Sequence, residues 1–318
     1  MDMKKIRMYA AALCAVALCS CTESVENLIP EVNDDVLVAR IEAANGRKEL
    51  GGEEMKSTFW SKDDALAVFR KNYYNCKFVL TEGEGTATGT FKYSGIYSPE
   101  SEDLTGNTID KYYAVYPYDV DMTILEGNKI SGVTFPVEQT YAEGTFDAGA
   151  AFMTAIADGP TRMNFKKAHA LLKIYLTPMP GDTYTVKSIK LESAAKALSG
   201  AATLDMSTEG DPVLTLGTAS DDNKSLTLNC GDGVAVKAPT TTPIPFYIVV
   251  APETFSAKDL SITITYANGK SETKTFEEEV TFERNQIVTI NYPCGGEDIT
   301  GGIEVFGTSD GDLTAQEN

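Results

Sequence analysis

The side chains best suited to chemistry are scarce or widely spaced in this sequence. His169 is the only histidine among 318 residues, so one chain cannot build a histidine-based triad or a metal site with several histidines. Its sequence neighbours are apolar, which predicts a hydrogen-bonded position in the core. The Gly-rich stretch GEGTATG at 83–89 leads into an alternating strand and not into a helix N-terminus that would hold phosphate, so it predicts a hairpin turn.

Carboxylates are abundant, with 46 acidic residues against 27 basic ones and a formal net charge of -19. The acidic stretches at 276–280 and 310–312 lack the spacing of an EF-hand loop, and a solvated surface explains them more simply than a Ca²⁺ site. A glycosidase needs two carboxyl groups at a set separation in space, which the sequence alone does not give. The negative charge argues against nucleic acid as a partner, since phosphate contacts need clustered Lys and Arg. We therefore expect a protein that is not an enzyme and that has no cofactor, no metal and no nucleic-acid partner.

Cys21 stands at the end of a targeting segment. A basic stretch at 4–7 precedes a short apolar run that ends in LCSC at 18–21, which is the pattern of a secretory signal. The run is too short to span a bilayer as a helix, which takes about 20 residues. The Leu and Ser ahead of Cys21 resemble the bacterial lipoprotein box, and that resemblance implies cleavage before Cys21 and attachment of acyl chains such as palmitate. The alternative is an ordinary signal peptide in which Cys21 is incidental.

Three cysteines remain once the signal segment is removed and Cys21 is lipidated. Cys76, Cys230 and Cys294 are irregularly spaced and form no CxxC pair, so a zinc site is not predicted. One disulfide in an oxidising compartment and three buried free thiols are both compatible with the sequence.

A strand and an exposed turn follow a short tether. Residues 22–35 are polar, acidic and contain proline, which is typical of a linker between a lipid and a fold. The stretch VLVARIEAANGRKEL at 36–50 alternates over its first half and then reaches an Asn45-Gly46 turn with Arg47 beyond it. Proteases cut readily at such a turn tip. The apolar positions assigned to this strand are Val36, Leu37, Val38, Ala39, Ile41 and Ala43.

The remaining sequence predicts a mainly β fold. Short runs rich in β-branched and aromatic residues recur between Gly and Pro, which is typical of β-sandwiches. The clearest local pattern is LSITITYANGKSETKTF at 260–276, where Asn268-Gly269 predicts a type I′ hairpin. The stretch 61–71 fits a strand better than a helix, whereas 165–177 fits either. A linker at 155–163 indicates a domain boundary near residue 160.

Five stretches, in order along the chain, are similar to one protein family. The chain resembles fimbrillins, the subunits of type V pili of anaerobic Gram-negative bacteria, over roughly residues 35–292. The stretches that carry the resemblance are STFWSKDDALAVF (57–69), YYAVYPYD (112–119), FPVEQTYAEGTFDAGAAFMTA (135–155), MNFKKAHALLKIYLT (163–177) and IPFYIVVAPETFSAKDLSITITYANGK (244–270).

The resemblance implies two transthyretin-like β-sandwich domains in tandem. It also implies export as a lipoprotein to the surface of the outer membrane, and proteolysis after an arginine that follows the first strand. Arg47 matches that arginine best, and Arg40 is the alternative. The expected divisions are a lipoprotein signal peptide at 1–20, a tether with a removable first strand at 21–47, an N-terminal sandwich at 48–160 and a C-terminal sandwich at 161–318.

These features together predict the structural subunit of a cell-surface fimbria with a role in adhesion. Removal of residues 21–47 would expose a sheet edge beside an apolar groove, and a strand from another subunit would fill it by donor-strand exchange. In the donor, GGIEVFG at 301–307 predicts that strand, with Ile303, Val305 and Phe306 as its apolar residues. The expected partners are other copies of the chain or related pilus subunits, a processing protease, and the outer membrane through the lipid anchor before cleavage.

The alternative is a surface lipoprotein that does not polymerise. It could serve as a pilus anchor, a tip adhesin or a glycan-binding protein, and its first strand would then be an ordinary hairpin with an exposed Arg47 and a frayed tail. Trp60 is the only tryptophan, which weakens the glycan interpretation because sugar-binding surfaces usually stack several exposed aromatic rings.

Overall fold

β-Strands make up most of the structure, a computed structural model that describes residues 35–42, 59–70, 73–96, 111–206, 210–237, 244–294 and 303–308. Within those ranges the only helical element is a 3₁₀ turn, and no helix is long and apolar enough to cross a membrane. The strands are β1 (Val36–Ile41), β2 (Ala65–Arg70), β3 (Tyr73–Glu82), β4 (Thr88–Ile96), β5 (Tyr112–Tyr116), β6 (Thr123–Leu125), β7 (Lys129–Phe135), β8 (Glu138–Thr140), β9 (Met153–Ala157), β10 (Met163–Lys167), β11 (Ala170–Pro178), β12 (Thr183–Ser193), β13 (Gly200–Asp205), β14 (Val213–Leu216), β15 (Ser225–Lys237), β16 (Pro245–Val250), β17 (Glu253–Phe255), β18 (Leu260–Tyr266), β19 (Ser271–Thr275), β20 (Val280–Phe282), β21 (Ile287–Cys294) and β22 (Glu304–Thr308).

Seven strands close into a barrel in the order β1-β10-β9-β5-β2-β3-β4. Inward and outward side chains alternate because successive residues of a strand point to opposite faces of the sheet. In β10, for example, Met163 and Phe165 are buried and Asn164 between them is exposed. The barrel core consists of Leu37, Ala39, Ile41, Trp60, Leu66, Val68, Cys76, Phe78, Phe91, Ala114, Tyr116, Met153, Ala155, Met163 and Phe165.

Two further sheets share a second core. One has the order β16-β11-β21-β22 and the other has the order β19-β18-β12-β15-β8. The strand β11 alternates so that Leu172, Ile174 and Leu176 enter this core. The two sheets and their common core form a second β assembly, built chiefly from residues 170–308.

A third sheet, in the order β14-β13-β7-β6, joins the barrel to the second assembly. Its buried side chains form one apolar cluster with Ala67 and Phe69 of β2 and with Leu171 and Val249 of β11 and β16. The strand β7 comes from the first half of the sequence, yet it pairs with β13 from the second half. The two halves of the chain are therefore interleaved at this layer.

The predicted mainly β fold is confirmed, and several local predictions can be placed. The stretch 61–71 contains β2, and 165–177 forms β10 and β11 with a break at Ala168 and His169. The hairpin predicted at 260–276 is β18 and β19, with Gly269 at a φ of 80°. The Gly-rich turn at 83–89 connects β3 and β4, and a Cβ at Gly83 would lie only 2.2 Å from the Thr88 carbonyl oxygen.

The expected domain boundary near residue 160 falls in a turn of the barrel. Residues 158–162 form the turn between β9 and β10, which pair with each other inside the barrel. The backbone leaves the barrel only after Lys167, at the end of β10. The pattern of Gly and Pro at 159–160 indicates a turn, and sequence alone does not separate a hairpin turn from a linker. Two transthyretin-like sandwiches in tandem stay a prediction.

Candidate functional site

The strand β1 completes the barrel by pairing along both of its edges. It runs antiparallel to β4 and parallel to β10. Near its end, the backbone N–H of Ile41 donates to the Ala87 oxygen at 2.9 Å, and that of Glu42 donates to the Phe165 oxygen at 2.9 Å. Because β4 and β10 have no other partner on these sides within the described residues, loss of β1 would leave two facing edges with unpaired backbone groups.

Three side chains of β1 point into the barrel core. Leu37 and Ala39 are 0% exposed and Ile41 is 4% exposed. Full burial of a leucine or isoleucine side chain stabilises a fold by about 1.5–3 kcal/mol. The structure places Val36 and Val38 at half-buried positions and leaves the Arg40 side chain exposed. Ala43, the last position assigned to the strand, lies outside the described residues.

Trp60 lines the groove that β1 occupies. It is 1% exposed, and its indole N–H donates to the Ala39 carbonyl oxygen at 3.4 Å. Its ring meets the rings of Phe91 and Phe165 edge-on, with centroids 4.9 and 5.5 Å away. A Cβ at Gly89 of β4 would lie 2.8 Å from the Trp60 ring, so a larger residue at that position would displace the indole. The single tryptophan therefore belongs to the barrel core and is not a sugar-stacking surface.

The carboxyl end of β1 is held by a cluster of charges. The Glu42 carboxylate lies 2.5 Å from Nη1 of Arg284 and also accepts from the backbone N–H of Lys167. Arg284 donates to the Lys167 carbonyl oxygen at 2.8 Å and pairs with Asp211 at 2.9 Å. The side chains of Arg284 and Glu42 are 14% and 22% exposed, so this ion pair is largely desolvated. Burial lowers the pKa of the Lys167 ammonium, and the nearby Glu42 carboxylate opposes that shift.

The amino end of β1 has a second, weaker ion pair. Asp35 Oδ1 lies 3.5 Å from Nη2 of Arg70, but the Asp35 side chain is 65% exposed. Arg70 is buried, and its guanidinium lies over the rings of Phe78 and Tyr93 at 5.7 and 5.8 Å. Both ends of β1 thus present a carboxylate to an arginine of the surrounding fold.

Two of the other predicted site residues, Arg47 and Cys21, lie outside the described residues. Arg40 lies inside β1, opposite Thr88 of β4 and Asn164 of β10. Its backbone is therefore enclosed by neighbouring strands, although its side chain is exposed. A protease must reach an accessible backbone, which favours a cut beyond the end of the strand.

The segment predicted as the donor strand lies at a sheet edge of its own chain. Ile303 is 5% exposed and forms a parallel bridge with Phe276. The following strand β22 pairs antiparallel with β21, and Val305 lies opposite Ile290. Phe306 is also part of β22. These residues therefore extend the second assembly.

The sequence did not reveal the role of Gln139. Its side-chain amide makes the pair of backbone hydrogen bonds that a neighbouring strand would otherwise make. Its amide donates to the Val249 oxygen at 2.8 Å and accepts from the Val249 N–H at 2.9 Å. The residue is 0% exposed and lies beside the edge of β16 that is not paired with β11. Gln139 lies in the stretch 135–155, which is one of the five that resemble fimbrillins. The resemblance therefore marked this region, although nothing in it indicated Val249 as the partner.

His169 and the three cysteines are core residues. His169 is 1% exposed, and its Nδ1 lies 3.0 Å from the Phe152 oxygen. Burial lowers the pKa of His169 to about 4. Cys76, Cys230 and Cys294 are buried and free of disulfides. In the part of the chain that the structure describes, no group of three or more His, Cys, Asp or Glu residues could hold a metal ion.

Comparison with known proteins identifies a matching family and a solved structure of similar fold. The family model for fimbrillin-like proteins matches residues 51–306. The crystal structure of a candidate cell adhesion protein from Bacteroides ovatus superposes with a TM-score of 0.52 at 16% identity, covering 86% of this chain and 96% of that chain. A candidate cell adhesion protein from Bacteroides uniformis gives a TM-score of 0.48 at 17% identity, covering 87% and 98%. The first likeness shows a common fold, and no curated protein matches the sequence.

Proposed function

The chain belongs to the fimbrillin-like family, and from that membership we propose that it is a structural subunit of a cell-surface fimbria that polymerises by donor-strand exchange. In this proposal, proteolysis removes β1, and a strand from another subunit takes its place. The family is one of fimbrial structural and adhesion proteins, so a role in adhesion follows and an enzymatic role does not. The other subunits of the fimbria are then the main partners.

The observation that supports the proposal most strongly is the two-sided pairing of β1. Its removal would leave a groove lined by Trp60, Phe91 and Phe165, flanked by the free edges of β4 and β10. An incoming strand can satisfy both edges with main-chain hydrogen bonds while its alternate side chains fill the pockets of Leu37 and Ile41. An open edge beside apolar pockets would otherwise promote aggregation, so exposing it only at the moment of assembly is favourable.

The proposed route to the surface begins with the lipoprotein signal at 1–20 and lipidation of Cys21. Acyl chains would hold the precursor on the outer membrane, and cleavage after Arg47 would separate the subunit from both the lipid and β1. Arg47 is preferred to Arg40 because Arg40 lies within the paired strand. The donor is a strand from the C-terminal segment of a second subunit, with Ile303, Val305 and Phe306 as its apolar residues.

Brief treatment of the secreted protein with an arginine-specific protease, followed by N-terminal sequencing and size analysis, tests this function. We expect a new terminus at Lys48 and a ladder of high-mass species. The Arg47→Gln variant should stay uncut and monomeric, whereas the matched Arg40→Gln variant should behave as the parent protein. A parent protein that keeps its first strand, or that is cut but stays monomeric, would contradict a polymerising subunit and favour an anchor or another surface lipoprotein.

A further inference from the structure

The charge cluster at the end of β1 has a consequence for any strand that replaces β1. When β1 leaves, Arg284 and the Lys167 N–H lose the Glu42 carboxylate that they share. Arg284 keeps Asp211, but the position of Glu42, which is only 22% exposed, would be empty beside a guanidinium and a buried ammonium. Hydrogen bonds to charged groups are stronger than neutral ones, and the loss of one carboxylate from an arginine in a desolvated site is costly. The vacated site therefore favours an acidic side chain.

Such a site would distinguish strand registers that the apolar pockets alone do not. A slip of one residue turns every side chain to the opposite face, so the pockets reject it. A slip of two residues keeps the faces but shifts the chain by about 6.6 Å, which removes any carboxylate from the reach of Arg284. The charge cluster thus adds information on register.

The sequence contains a second segment with the pattern of β1. Residues 35–42 read DVLVARIE and residues 297–304 read EDITGGIE. Read in the same direction, the two segments share an acidic first residue, a large aliphatic third, a β-branched fourth, a small fifth, an isoleucine and a final glutamate. The matching pairs are Asp35 with Glu297, Leu37 with Ile299, Val38 with Thr300, Ala39 with Gly301, Ile41 with Ile303 and Glu42 with Glu304.

From these observations we infer that Arg284 and the Lys167 N–H form a carboxylate-reading site that sets the register of the incoming strand, and that the strand is residues 297–304 of a second copy, with Glu304 in the position of Glu42. The inference rests on the proposed function, because it requires that β1 be replaced. It assigns Ile303 to the pocket of Ile41 and Ile299 to the pocket of Leu37. It therefore narrows the proposed donor to residues 297–304 and places Val305 and Phe306 beyond the groove. Glu297 would then face Arg70, as Asp35 does at 3.5 Å in the intact chain.

The test uses the full chain with one introduced protease site within 43–50, cut so that β1 is held by non-covalent contacts alone. A fluorescent peptide of residues 35–47 is exchanged into the cut protein, and its displacement is followed by anisotropy. The competitors are a peptide of residues 295–306 and two variants of it, Glu304→Gln and Asp298→Asn. Asp298 aligns with Val36, so its variant removes the same charge at a position where β1 has none.

We expect the parent competitor to displace the label, the Glu304→Gln peptide to be about 10- to 100-fold weaker, and the Asp298→Asn peptide to stay within about twofold. In cut protein that carries Arg284→Gln, the parent and Glu304→Gln peptides should compete equally. Should that protein variant not fold, the peptide comparison in the parent protein decides the matter by itself.

The possible failures are separable. Equal competition by the parent and Glu304→Gln peptides would overturn the carboxylate-reading site. Entry of the 35–47 peptide with no competition from the 295–306 peptide would overturn the choice of occupant and leave strand replacement intact. If even the 35–47 peptide did not enter the cut protein, both this inference and the proposed function would fall.

Discussion

Replacing Leu37 by alanine should weaken the attachment of β1 to the barrel. Leu37 is 0% exposed, and Leu→Ala substitutions at fully buried sites cost about 2–5 kcal/mol, part of which is the cavity left behind. A loss of about 3 kcal/mol corresponds to roughly 150-fold in the opening equilibrium of the strand. The matched control is Arg40→Ala in the same strand, where the side chain is exposed and the expected cost is within about 0.5 kcal/mol.

Native-state hydrogen exchange on the uncut chain measures this effect directly. The amides of Ile41 and Glu42 donate across the seam to Ala87 and Phe165, so they exchange only when β1 opens. If β1 opens as a separate unit, these amides should exchange through an opening of lower free energy and weaker denaturant dependence than that of the β11 amides, and Leu37→Ala should accelerate them by about 150-fold. Equal opening free energies with equal denaturant dependence in β1 and β11 would mean that β1 opens only when the whole fold unfolds, and the removable-strand mechanism would be refuted.

Two further predictions concern residues away from the groove. The pKa of His169 falls from 6.5 to about 4 on folding because the side chain is buried. Between those two pH values the unfolded chain binds more protons than the folded chain. The free energy of unfolding should therefore drop by about 3 kcal/mol as pH falls from 6.5 to 4. His169→Asn, which keeps a donor for Phe152 but does not titrate, should flatten that slope in denaturant titrations, and an unchanged slope would show that His169 is not its source. Gln139→Glu should lower the free energy of unfolding by about 3 kcal/mol, because a carboxylate would face the Val249 carbonyl oxygen in a buried site. Thr140→Glu, at the exposed neighbouring residue, should lower it by less than about 1 kcal/mol. Similar melting temperatures for these two variants would contradict the role assigned to Gln139.

Local pattern was enough to predict the strands that alternate clearly, and it failed where pairing partners are distant in sequence. The run from Leu260 to Tyr266 with its Asn-Gly turn predicts a hairpin because both strands are adjacent in the chain. By contrast, the pairing of β7 with β13 depends on residues about seventy positions apart, and the alternation in each strand does not name its partner. The sequence did not predict that β1 closes the barrel, because its partners β4 and β10 are distant in the chain. The inward face of β1 was predicted from its period of two.

The candidate site shows the same limit at the level of single residues. Leu37 and Ile41 were identifiable because hydrophobic alternation marks core positions, whereas Arg284 is 242 residues from Glu42 and no spacing rule connects them. Trp60 was noted only as the single tryptophan, and its contact with the Ala39 carbonyl emerges only once β1 lies in the groove. Charged and amide side chains that pair across the fold are set by tertiary geometry, so the sequence reveals their types but not their partners.

The position of β1 explains how one strand can be both firmly held and separable. Parallel pairing with β10 and antiparallel pairing with β4 satisfy the backbone of β1 on both sides, and three buried side chains add apolar stabilisation. The uncut chain therefore exposes no unpaired strand edge between β4 and β10. Yet β1 is the first strand of the described chain, and no other element needs to unfold for it to slide out once the connection at 43–58 is cut. A strand in the middle of the sequence, such as β5 between β2 and β9, would take its flanking segments with it. Terminal position together with pairing on both edges is what makes β1, among these barrel strands, suited to replacement.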